Sequence, residues 1–410
     1  MSTPDVLTTD ICILGAGMAG ASLVQLLRPA RAAGIKITLI DRQPLSWNSS
    51  ADERPPSFDG RATALSYGTK DILASLGLWD AAAPHACAIE HIQVSDSGHF
   101  GQTHMHAEEQ GTEALGYVIE NHRLGQALLT GLREDDTLAL LAPADVTRVQ
   151  MVPAGAALTL ADGRSLQCRL LIMADGGRSD LPRQLGIHHQ SSSYGATALV
   201  TRISTSEAHN NWAYERFRED GPLALLPLDT QDFAVVWTLQ NDEVSDIMAL
   251  PDAELLARLQ AQIGYRCGRF TRIGERLTYP LALVKSTEQV RRSLVLLGNA
   301  AHTLHPVAGQ GFNLTLRDAA VLAEHLNKAV SEGRNPGDLE VLQGFARTQI
   351  QDQRNTILAS DWLPRLFSSK EPAVSVLRNA GLIGMTACPP VRQMFTRHAM
   401  GLGQTRARTE

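Results

Sequence analysis

The sequence has little of what marks secreted, zinc-binding, membrane-spanning or nucleic-acid-binding proteins. Its five cysteines among 410 residues are scattered and include no C-x-x-C pair, which excludes a disulfide framework and a thiolate zinc site and favours a reducing compartment. No apolar run approaches the roughly 18 residues of a membrane span, and residues 1–10 lack a signal-peptide pattern. A net charge of −6 argues against nucleic acid as a partner. We expect a cytoplasmic globular protein.

The chain begins with alternating strand and helix patterns. Ile11–Leu14 is predicted to be a strand, Ala21–Ala33 a helix that Gly34 ends, and Ile35–Ile40 a second strand. Strand and helix are joined by a turn with glycine at positions 15, 17 and 20. This order predicts an α/β fold with a nucleotide-binding turn.

Each glycine of that turn has a physical role. Gly15 permits the tight turn, Gly17 lets the backbone approach a diphosphate, and Gly20 lets helix and strand pack closely. Free N–H groups of the turn, which also contains Met18 and Ala19, and the dipole of the helix that follows would face the anion. Asp41 follows the second strand at the position where a carboxylate accepts hydrogen bonds from a ribose.

Arg42 leaves two interpretations open. It could bind the 2′-phosphate of NADP, or it could be solvated or stacked on an adenine. The second is favoured because Asp41 would repel a phosphate. No second G-x-G-x-x-G turn occurs, so the chain is predicted to build one dinucleotide site.

The rest of the chain is divided by its hydrophobic patterns. Residues 42–60 are predicted to be a loop, and residues 192–285 form a β-rich region with one helical piece. The further predicted elements are helices at 65–76, 121–133, 252–262 and 310–330, strands at 89–106, 138–160, 166–174 and 294–297, and mostly helix after 330.

Two later glycine-containing segments carry a resemblance. Residues 171–183 (LIMADGGRSDLPR) resemble the "DG" motif, and residues 298–313 (GNAAHTLHPVAGQGFN) the "GD" motif, of flavoprotein aromatic hydroxylases. With the first turn, in this order, they resemble the single-component FAD monooxygenases of the p-hydroxybenzoate hydroxylase fold. The resemblance covers about residues 8–330.

Within that superfamily the chain is similar to the ubiquinone-biosynthesis hydroxylases, and in particular to those that act on 2-polyprenyl-6-methoxyphenol. Residues 58–65, 118–121 and 302–306 carry this similarity. Asn299 stands where the superfamily usually has aspartate. An amide can still hydrogen-bond the cofactor, and this subgroup tolerates it.

The resemblance implies a mixed α/β protein with an FAD-binding Rossmann-like domain and a β-sheet substrate domain. The FAD-binding domain would comprise residues 1–75, 107–184 and 286–335. The substrate domain would comprise residues 76–106 and 185–285, and residues 336–410 would form a C-terminal helical region.

The resemblance also implies an activity. NADPH or NADH would reduce FAD, and O₂ would form a C4a-hydroperoxyflavin that hydroxylates the ring of a polyprenylated phenol in ubiquinone biosynthesis. Pro306, Gly309, Gln310 and Gly311 would stabilise negative charge at the flavin edge. The implied cofactor-binding residues are Gly15, Gly17, Met18, Ala19, Gly20, Asp41, Arg42, Arg61, Asn121, Asp175, Gly176, Asn299, His302, Gly309, Gly311 and Asn313.

Several alternatives stay open. The chain could act on another ring position or on a small soluble aromatic, or it could be an FAD-binding scaffold of a quinone-biosynthesis complex. An NAD-linked dehydrogenase would purify as a colourless protein. Asp175 could be only a turn residue, and Arg61 and Asn121 could be surface or capping residues. The group that deprotonates the phenol is not identified, because the nearby aromatics Tyr194, Tyr214 and Trp212 are more typical of a core.

Two further features of the sequence have a functional explanation and an ordinary structural one. A dense set of histidines has no acidic or cysteine partner at ligand spacing, so no metal is expected; its members are His85, His91, His99, His104 and His106. Residues 361–410 carry a net charge of +4 and apolar residues such as Trp362, Met394 and Phe395. They could contact the inner membrane peripherally or a quinone-biosynthesis complex, although packing against the other domains is favoured.

Overall fold

The computed structural model describes residues 6–45, 61–98, 101–133, 135–304, 309–368, 381, 384 and 386–402. Most of the predicted 42–60 loop, and Pro306, lie outside these residues. The strands are β1 (Val6–Leu14), β2 (Ile37–Ile40), β3 (Ala62–Ser66), β4 (Ala86–Ile89), β5 (His91–Asp96), β6 (Gln102–His106), β7 (Gly116–Glu120), β8 (Leu138–Leu141), β9 (Val146–Val152), β10 (Gly155–Leu160), β11 (Ser165–Met173), β12 (His189–Thr205), β13 (Trp212–Phe217), β14 (Leu223–Pro227), β15 (Asp232–Gln240), β16 (Phe270–Ile273), β17 (Leu277–Ser286), β18 (Val290–Arg291), β19 (Leu294–Leu296) and β20 (His302–Thr303).

Helices pack around these strands. They are α1 (Met18–Leu26), α2 (Arg28–Ala32), α3 (Tyr67–Ser75), α4 (Trp79–Ala82), α5 (Asn121–Leu129), α6 (Leu181–Gln184), α7 (Val244–Ala249), α8 (Asp252–Ile263), α9 (Gln310–Ser331), α10 (Leu339–Ser368) and α11 (Pro389–Ala399). In the part of the chain described, no helix is both long enough and apolar enough to cross a membrane.

The first sheet is built around parallel strands in the order β19-β11-β1-β2-β8. Its central strands are buried on both faces, as the unbroken apolar run Ile11–Leu14 predicted. Helices α1 and α9 pack on one face in a shared apolar core. The sheet therefore brings the carboxyl ends of β1, β11 and β19 to one edge.

The second sheet is mostly antiparallel, in the order β20-β17-β12-β15-β14-β13-β5-β6, with β16 beside β12. Helix α8 covers one face, where Leu255 and Leu259 join a core with Phe233 and Trp237. The β-rich pattern predicted for residues 192–285 is thereby observed, and β5 and β6 from the 89–106 stretch extend the same sheet.

Several predicted helix boundaries were wrong: the first helix begins at Met18 instead of Ala21, and the helix predicted for residues 121–133 ends at Leu129. The predicted helix Ala21–Ala33 is also divided at Leu27, because Pro29 has no N–H and lies in the first turn of the separate helix α2. The predicted helix 65–76 starts later, because Leu65 and Ser66 pair with β7 in a three-stranded sheet that also contains β4. The Ser66 hydroxyl then accepts a hydrogen bond from Thr69 N and caps α3.

Candidate active site

Three backbone turns meet at the edge where the parallel strands end. The first follows β1 at Gly15, the second follows β11 at Asp175, and the third follows β19 at Gly298. The first two touch directly: a Cβ on Gly15 would lie 2.5 Å from the Ala174 carbonyl oxygen, and Gly15 has φ +102°. Only glycine is compatible with both that contact and that backbone angle.

The third turn contacts both the second turn and helix α1. A Cβ on Gly177 would lie 3.0 Å from the Asn299 carbonyl oxygen, and one on Gly298 would lie 3.2 Å from the Cβ of Ala19 in α1. The second turn thus contacts the third, and the third contacts the helix that follows the first. The three motifs that are separated in sequence form one contiguous structure.

These turns border a cavity of about 820 Å³ that continues to the second sheet. The volume is within the range of roughly 300–1,000 Å³ typical of small-molecule and cofactor sites. Most of the residues predicted to bind a cofactor line this cavity, namely Gly15, Gly17, Met18, Ala19, Asp41, Arg42, Arg61, Asn121, Asp175, Gly176, Asn299, Gly309 and Gly311.

The wall around the first turn fits a diphosphate. Helix α1 begins at Met18 with Gly17 as its N-cap, and its first N–H groups are not capped by any side chain that the structure describes. Uncapped N–H groups at a helix start bind anions. The Ser179 hydroxyl also lies on this cavity, is buried, and has no hydrogen-bond partner among the described residues. Both features are donors that a phosphate oxygen would satisfy.

Asp41 and Arg42 are both held by neighbours on the cavity wall. The Asp41 carboxylate accepts hydrogen bonds from Ala16 N at 2.7 Å and from Gln43 N at 2.8 Å. Arg42 Nε donates to Asp145 Oδ1 at 2.9 Å and is mostly exposed. Since Asp145 offsets the charge of Arg42, the pair favours the solvated interpretation over a 2′-phosphate site.

Asp175 stabilises its own turn while it lines the cavity. Its carboxylate accepts hydrogen bonds from Gly177 N at 3.1 Å and from Ser179 N at 3.2 Å. This is the turn role that the sequence left open, and it also fixes the position of the Ser179 hydroxyl. The two interpretations of Asp175 are therefore compatible.

Arg61 and Asn121 lie at the end of the three-stranded sheet where β3 begins and β7 ends, and Arg61 contacts the second sheet. The Arg61 guanidinium lies 4.5 Å from the centre of the Tyr279 ring of β17, a cation–π contact. Asn121 N donates to the Arg61 carbonyl at 2.7 Å, and Thr63 Oγ1 donates to Asn121 Oδ1 at 2.5 Å. These contacts fix both predicted residues on the cavity wall.

The amino end of helix α9 also faces the cavity. Gly311 and Phe312 line it, and no side chain of the described residues caps the first N–H groups of the helix. Gly309 has φ +63°, and a Cβ there would lie 2.8 Å from the Ala64 carbonyl oxygen, whereas a Cβ on Gly311 would meet none of the described residues within 4 Å. The two glycines therefore differ: Gly309 is required by the protein itself, and Gly311 leaves open space.

Four predicted site residues lie away from the cavity wall, and Asn313 is the most informative. Its buried amide donates to the Ala64 and Gly309 carbonyls at 2.9 and 2.8 Å and accepts from Ser66 N at 2.9 Å and from Thr69 Oγ1 at 2.8 Å. It holds the amino end of α9 against β3. The structure places it behind the site as a positioning residue.

The other three contribute in different ways. A Cβ on Gly20 would lie 1.8 Å from the Gly15 carbonyl oxygen, so this glycine lets α1 pack on the turn. His302 is buried and its Nε2 lies 2.8 Å from Asp318 Oδ2, which joins β20 to α9. Gln310 is the first residue of α9.

The opposite wall of the cavity belongs to the second sheet and is apolar. It is formed by Ala198, Val200, Ala224, Leu226, Val236 and Leu281, with Glu215 and Tyr279 among them. Burial raises the pKa of Glu215 to about 7. Glu215 was not among the residues predicted from the sequence; the available signal was a single carboxylate in the strand Trp212–Phe217, whose only other charged residue is Arg216.

The aromatics that the sequence analysis considered lie elsewhere. Tyr214 packs in the core with α8, and Tyr194 donates to Asp361 Oδ1 at 2.8 Å. Trp212 packs against His91, whose Nδ1 lies 2.9 Å from His106 Nδ1. Among the residues that the structure describes, no three His, Cys, Asp or Glu side chains are grouped to hold a metal ion.

Comparisons with known proteins agree with this geometry. Residues 8–342 match a family described as an FAD binding domain. The chain is 35% identical over 397 residues to ubiquinone hydroxylase UbiL of Rhodospirillum rubrum, covering 96% of this chain and 89% of that protein. It is 28% identical over 400 residues to ubiquinone hydroxylase UbiM of Neisseria meningitidis, covering 96% and 85%. The crystal structure of p-nitrophenol 4-monooxygenase PnpA from Pseudomonas putida shares the fold, with a TM-score of 0.76, 18% identity and coverage of 98% of this chain and 100% of that one.

Replacing Gly17 with glutamate is expected to prevent FAD retention. Gly17 has φ −66°, which a side chain can adopt, so the backbone is not strained. The new carboxylate would face the diphosphate at the start of α1, and we expect Kd for FAD to rise at least ~100-fold, about 2.7 kcal/mol. Isothermal titration of the apoprotein with FAD measures this change in Kd.

Gly17→Ala is the control. It adds bulk without charge and should weaken FAD binding much less. A Gly17→Glu protein that purifies with full FAD content would refute the role of this turn.

Proposed function

Since the chain belongs to the FAD binding domain family that its residues 8–342 match, we propose that it is an FAD-dependent monooxygenase of ubiquinone biosynthesis. Its reaction would be hydroxylation of the aromatic ring of a polyprenylated phenol, such as 2-polyprenyl-6-methoxyphenol, with O₂ and NADH or NADPH. One observation carries the proposal: a single cavity joins the three turns to the apolar face of the second sheet.

The residues of the cavity divide the work between cofactor and substrate. FAD, when bound and reduced by the nicotinamide, supplies the oxygen chemistry that side chains lack. The N–H groups at the start of α1, the Ser179 hydroxyl and Asp41 would hold its nucleotide part. The N–H groups at the start of α9 would stabilise negative charge on its ring system, because the helix dipole is positive there.

The substrate class follows from the chemistry of the opposite wall. Its alanine, valine and leucine side chains suit an aromatic ring and an isoprenoid tail, and they exclude water from the reacting atoms. The similarity to the ubiquinone hydroxylases UbiL and UbiM supports a phenol of that pathway.

Ring hydroxylation can be tested directly with the purified flavoprotein. We expect 2-prenyl-6-methoxyphenol to stimulate NADH or NADPH oxidation, and mass spectrometry to find one heavy oxygen atom in the product when the reaction runs under isotopically labelled O₂. Stimulation without labelled product would show uncoupled reduction. Absence of both, with polyprenylphenols and with small soluble aromatics, would favour a scaffold role and contradict the proposal.

Gly311→Ala separates turnover from cofactor binding. Among the described residues, the added methyl group meets no atom within 4 Å, and it lies in the first turn of α9, on the cavity wall. Alanine also favours the helix by up to about 1 kcal/mol, so Tm should be unchanged or higher. We expect turnover to fall at least roughly tenfold, since loss of one donor at a developing charge costs about 10²–10³, with Kd for FAD changed less than about threefold.

The control for this experiment is Gly384→Ala, which makes the same change at an exposed helical residue where a Cβ also meets nothing within 4 Å among the described residues. It should alter neither quantity. Equal losses of FAD binding and turnover in Gly311→Ala would contradict the role of the α9 amino end. Gly309→Ala is unsuitable, because its positive φ and its contact with Ala64 would disturb the fold.

We also propose that the C-terminal region contacts an anionic membrane surface, from which a polyprenylated substrate would be taken. Val391, Met394 and Phe395 lie on one face of α11 and are exposed. Arg397 and His398 lie in the last turn of the same helix. An exposed apolar stripe beside cations is typical of peripheral membrane helices.

Flotation with phosphatidylglycerol vesicles tests this contact. We expect the wild type to float with the vesicles and Met394→Glu to lose most of that association, while Tyr265→Glu, an equally exposed position near α8, keeps it. Deletion of the region is less informative, because Gly68 N donates to the Met400 carbonyl at 2.9 Å and the deletion would disturb α3. Equal flotation of all three proteins would contradict a membrane role for α11.

A further inference from the structure

Strand β13 presents one carboxylate to the cavity. Successive side chains of a strand point to opposite faces, and Tyr214 packs in the core beneath α8. Its neighbour Glu215 lies on the other face and lines the cavity. Glu215 pairs with Val94 on one side and Ala224 on the other, and Ala224 pairs with Val236.

The Glu215 carboxylate is partly buried and lacks a charge partner among the described residues. Within the described part of the chain, its side chain forms neither a hydrogen bond nor an ion pair. Burial alone raises its pKa to about 7. A charged group in apolar surroundings without a partner is costly, and it persists where a ligand provides the partner.

The charged groups around Glu215 leave it isolated. Arg61 contacts the second sheet but lies over the Tyr279 ring. Arg216, next in the strand, points to the opposite face, and Asp361 of α10 accepts a hydrogen bond from Tyr194. The other charged residues that line the cavity do so on the side of the nucleotide-binding turns. They are Asp41, Arg42, Asp145, Asp175 and Arg178.

We propose that Glu215 accepts the proton of the substrate's phenol group. The inference rests on the proposed function, since it requires a phenolic substrate in this cavity. In the complex the phenol O–H donates to the carboxylate. During ring attack that O–H bond breaks and an O–H bond forms on Glu215. The electron pair of the broken bond moves toward the ring, whose carbon forms the new C–O bond to the oxygen atom that the cofactor chemistry supplies. The ring C–H proton is then lost to solvent, which restores the aromatic ring. The phenol oxygen takes the proton back from Glu215, which returns to its charged form.

The position and acidity of Glu215 suit this step. A free phenol has a pKa of about 10, so water at neutral pH removes its proton poorly. A base is most effective when its pKa lies close to the working pH, and Glu215 has that property because the same apolar wall that binds the ring also surrounds the carboxylate. Glu215 would therefore be a catalytic residue that contacts the substrate.

Ligand binding without turnover tests the contact. The probes are 2-prenyl-6-methoxyphenol and its methyl ether, which lacks the donor, each titrated into the oxidised flavoprotein across pH 7. A hydrogen bond to a charged acceptor is worth roughly 10- to 100-fold in affinity. We expect the phenol to gain about that preference over the ether as pH rises through the pKa of Glu215, and kcat to rise over the same range.

Variants of Glu215 test whether this side chain causes the preference for the phenol over its methyl ether. Glu215→Gln should retain FAD, abolish the pH-dependent preference and lower kcat more than it raises KM. Glu215→Asp should restore part of the pH dependence. Glu219→Gln makes the same change at an exposed position of the adjoining turn and should match wild type.

The outcomes separate the two proposals. If the preference survives in Glu215→Gln with the same midpoint, Glu215 is not the acceptor; loss of it in Tyr279→Phe would assign the role to Tyr279 instead. If Glu215→Gln fails to fold, Glu215→Asp decides, because an unchanged midpoint and preference in that variant would overturn the inference. If the wild type binds neither probe and yields no hydroxylated product, the proposed function itself fails.

Discussion

Three backbone turns can meet at one edge of the parallel sheet because the residues at their contacts lack side chains. Gly15 lies against the Ala174 carbonyl, Gly177 against the Asn299 carbonyl, and Gly298 against Ala19. A Cβ at any of these positions would push the turns apart, and at Gly15 the overlap is too severe for relaxation. The contacts orient the amino end of α1 toward the cavity, so the binding of an anion there depends on them.

The second structural requirement is that a polar and an apolar wall enclose the same space. The amino ends of α1 and α9 supply N–H donors on one side, and the second sheet supplies alanine, valine and leucine side chains on the other. Asn313 fixes α9 to β3 through four hydrogen bonds. Arg61 contacts Tyr279 across the boundary between the walls. A cofactor with a charged end and an aromatic end suits such a space.

Local sequence patterns predicted much of this arrangement. The strand, glycine turn and helix around Gly15, and the long helix from Gln310, depend on neighbouring residues, and the structure places them as expected. Strand β3 was missed because its pairing with β7 joins residues that are 50 or more positions apart. Asn313 was assigned to the cofactor because its motif is close to the site, and only the tertiary packing shows that its amide is occupied. For Arg42 too, only the tertiary packing shows that the side chain has a partner, because Asp145 lies on a distant segment.

Glu215 shows why a catalytic group can escape sequence analysis. Its strand alternates between two environments, and the sequence does not state which face turns toward the cavity. The face is set by the packing of Tyr214 beneath α8, a segment that follows much later in the chain. The acidity of the carboxyl likewise depends on apolar neighbours from β5 and β14 rather than on adjacent residues.

A crystal structure of the protein with FAD is the most direct measurement of the relation between these two walls. We expect the diphosphate at Gly15–Gly17 and the isoalloxazine ring beside Gly311, with one face turned to the apolar sheet that carries Glu215. An isoalloxazine ring bound outside this cavity, or separated from that sheet, would contradict the assignment.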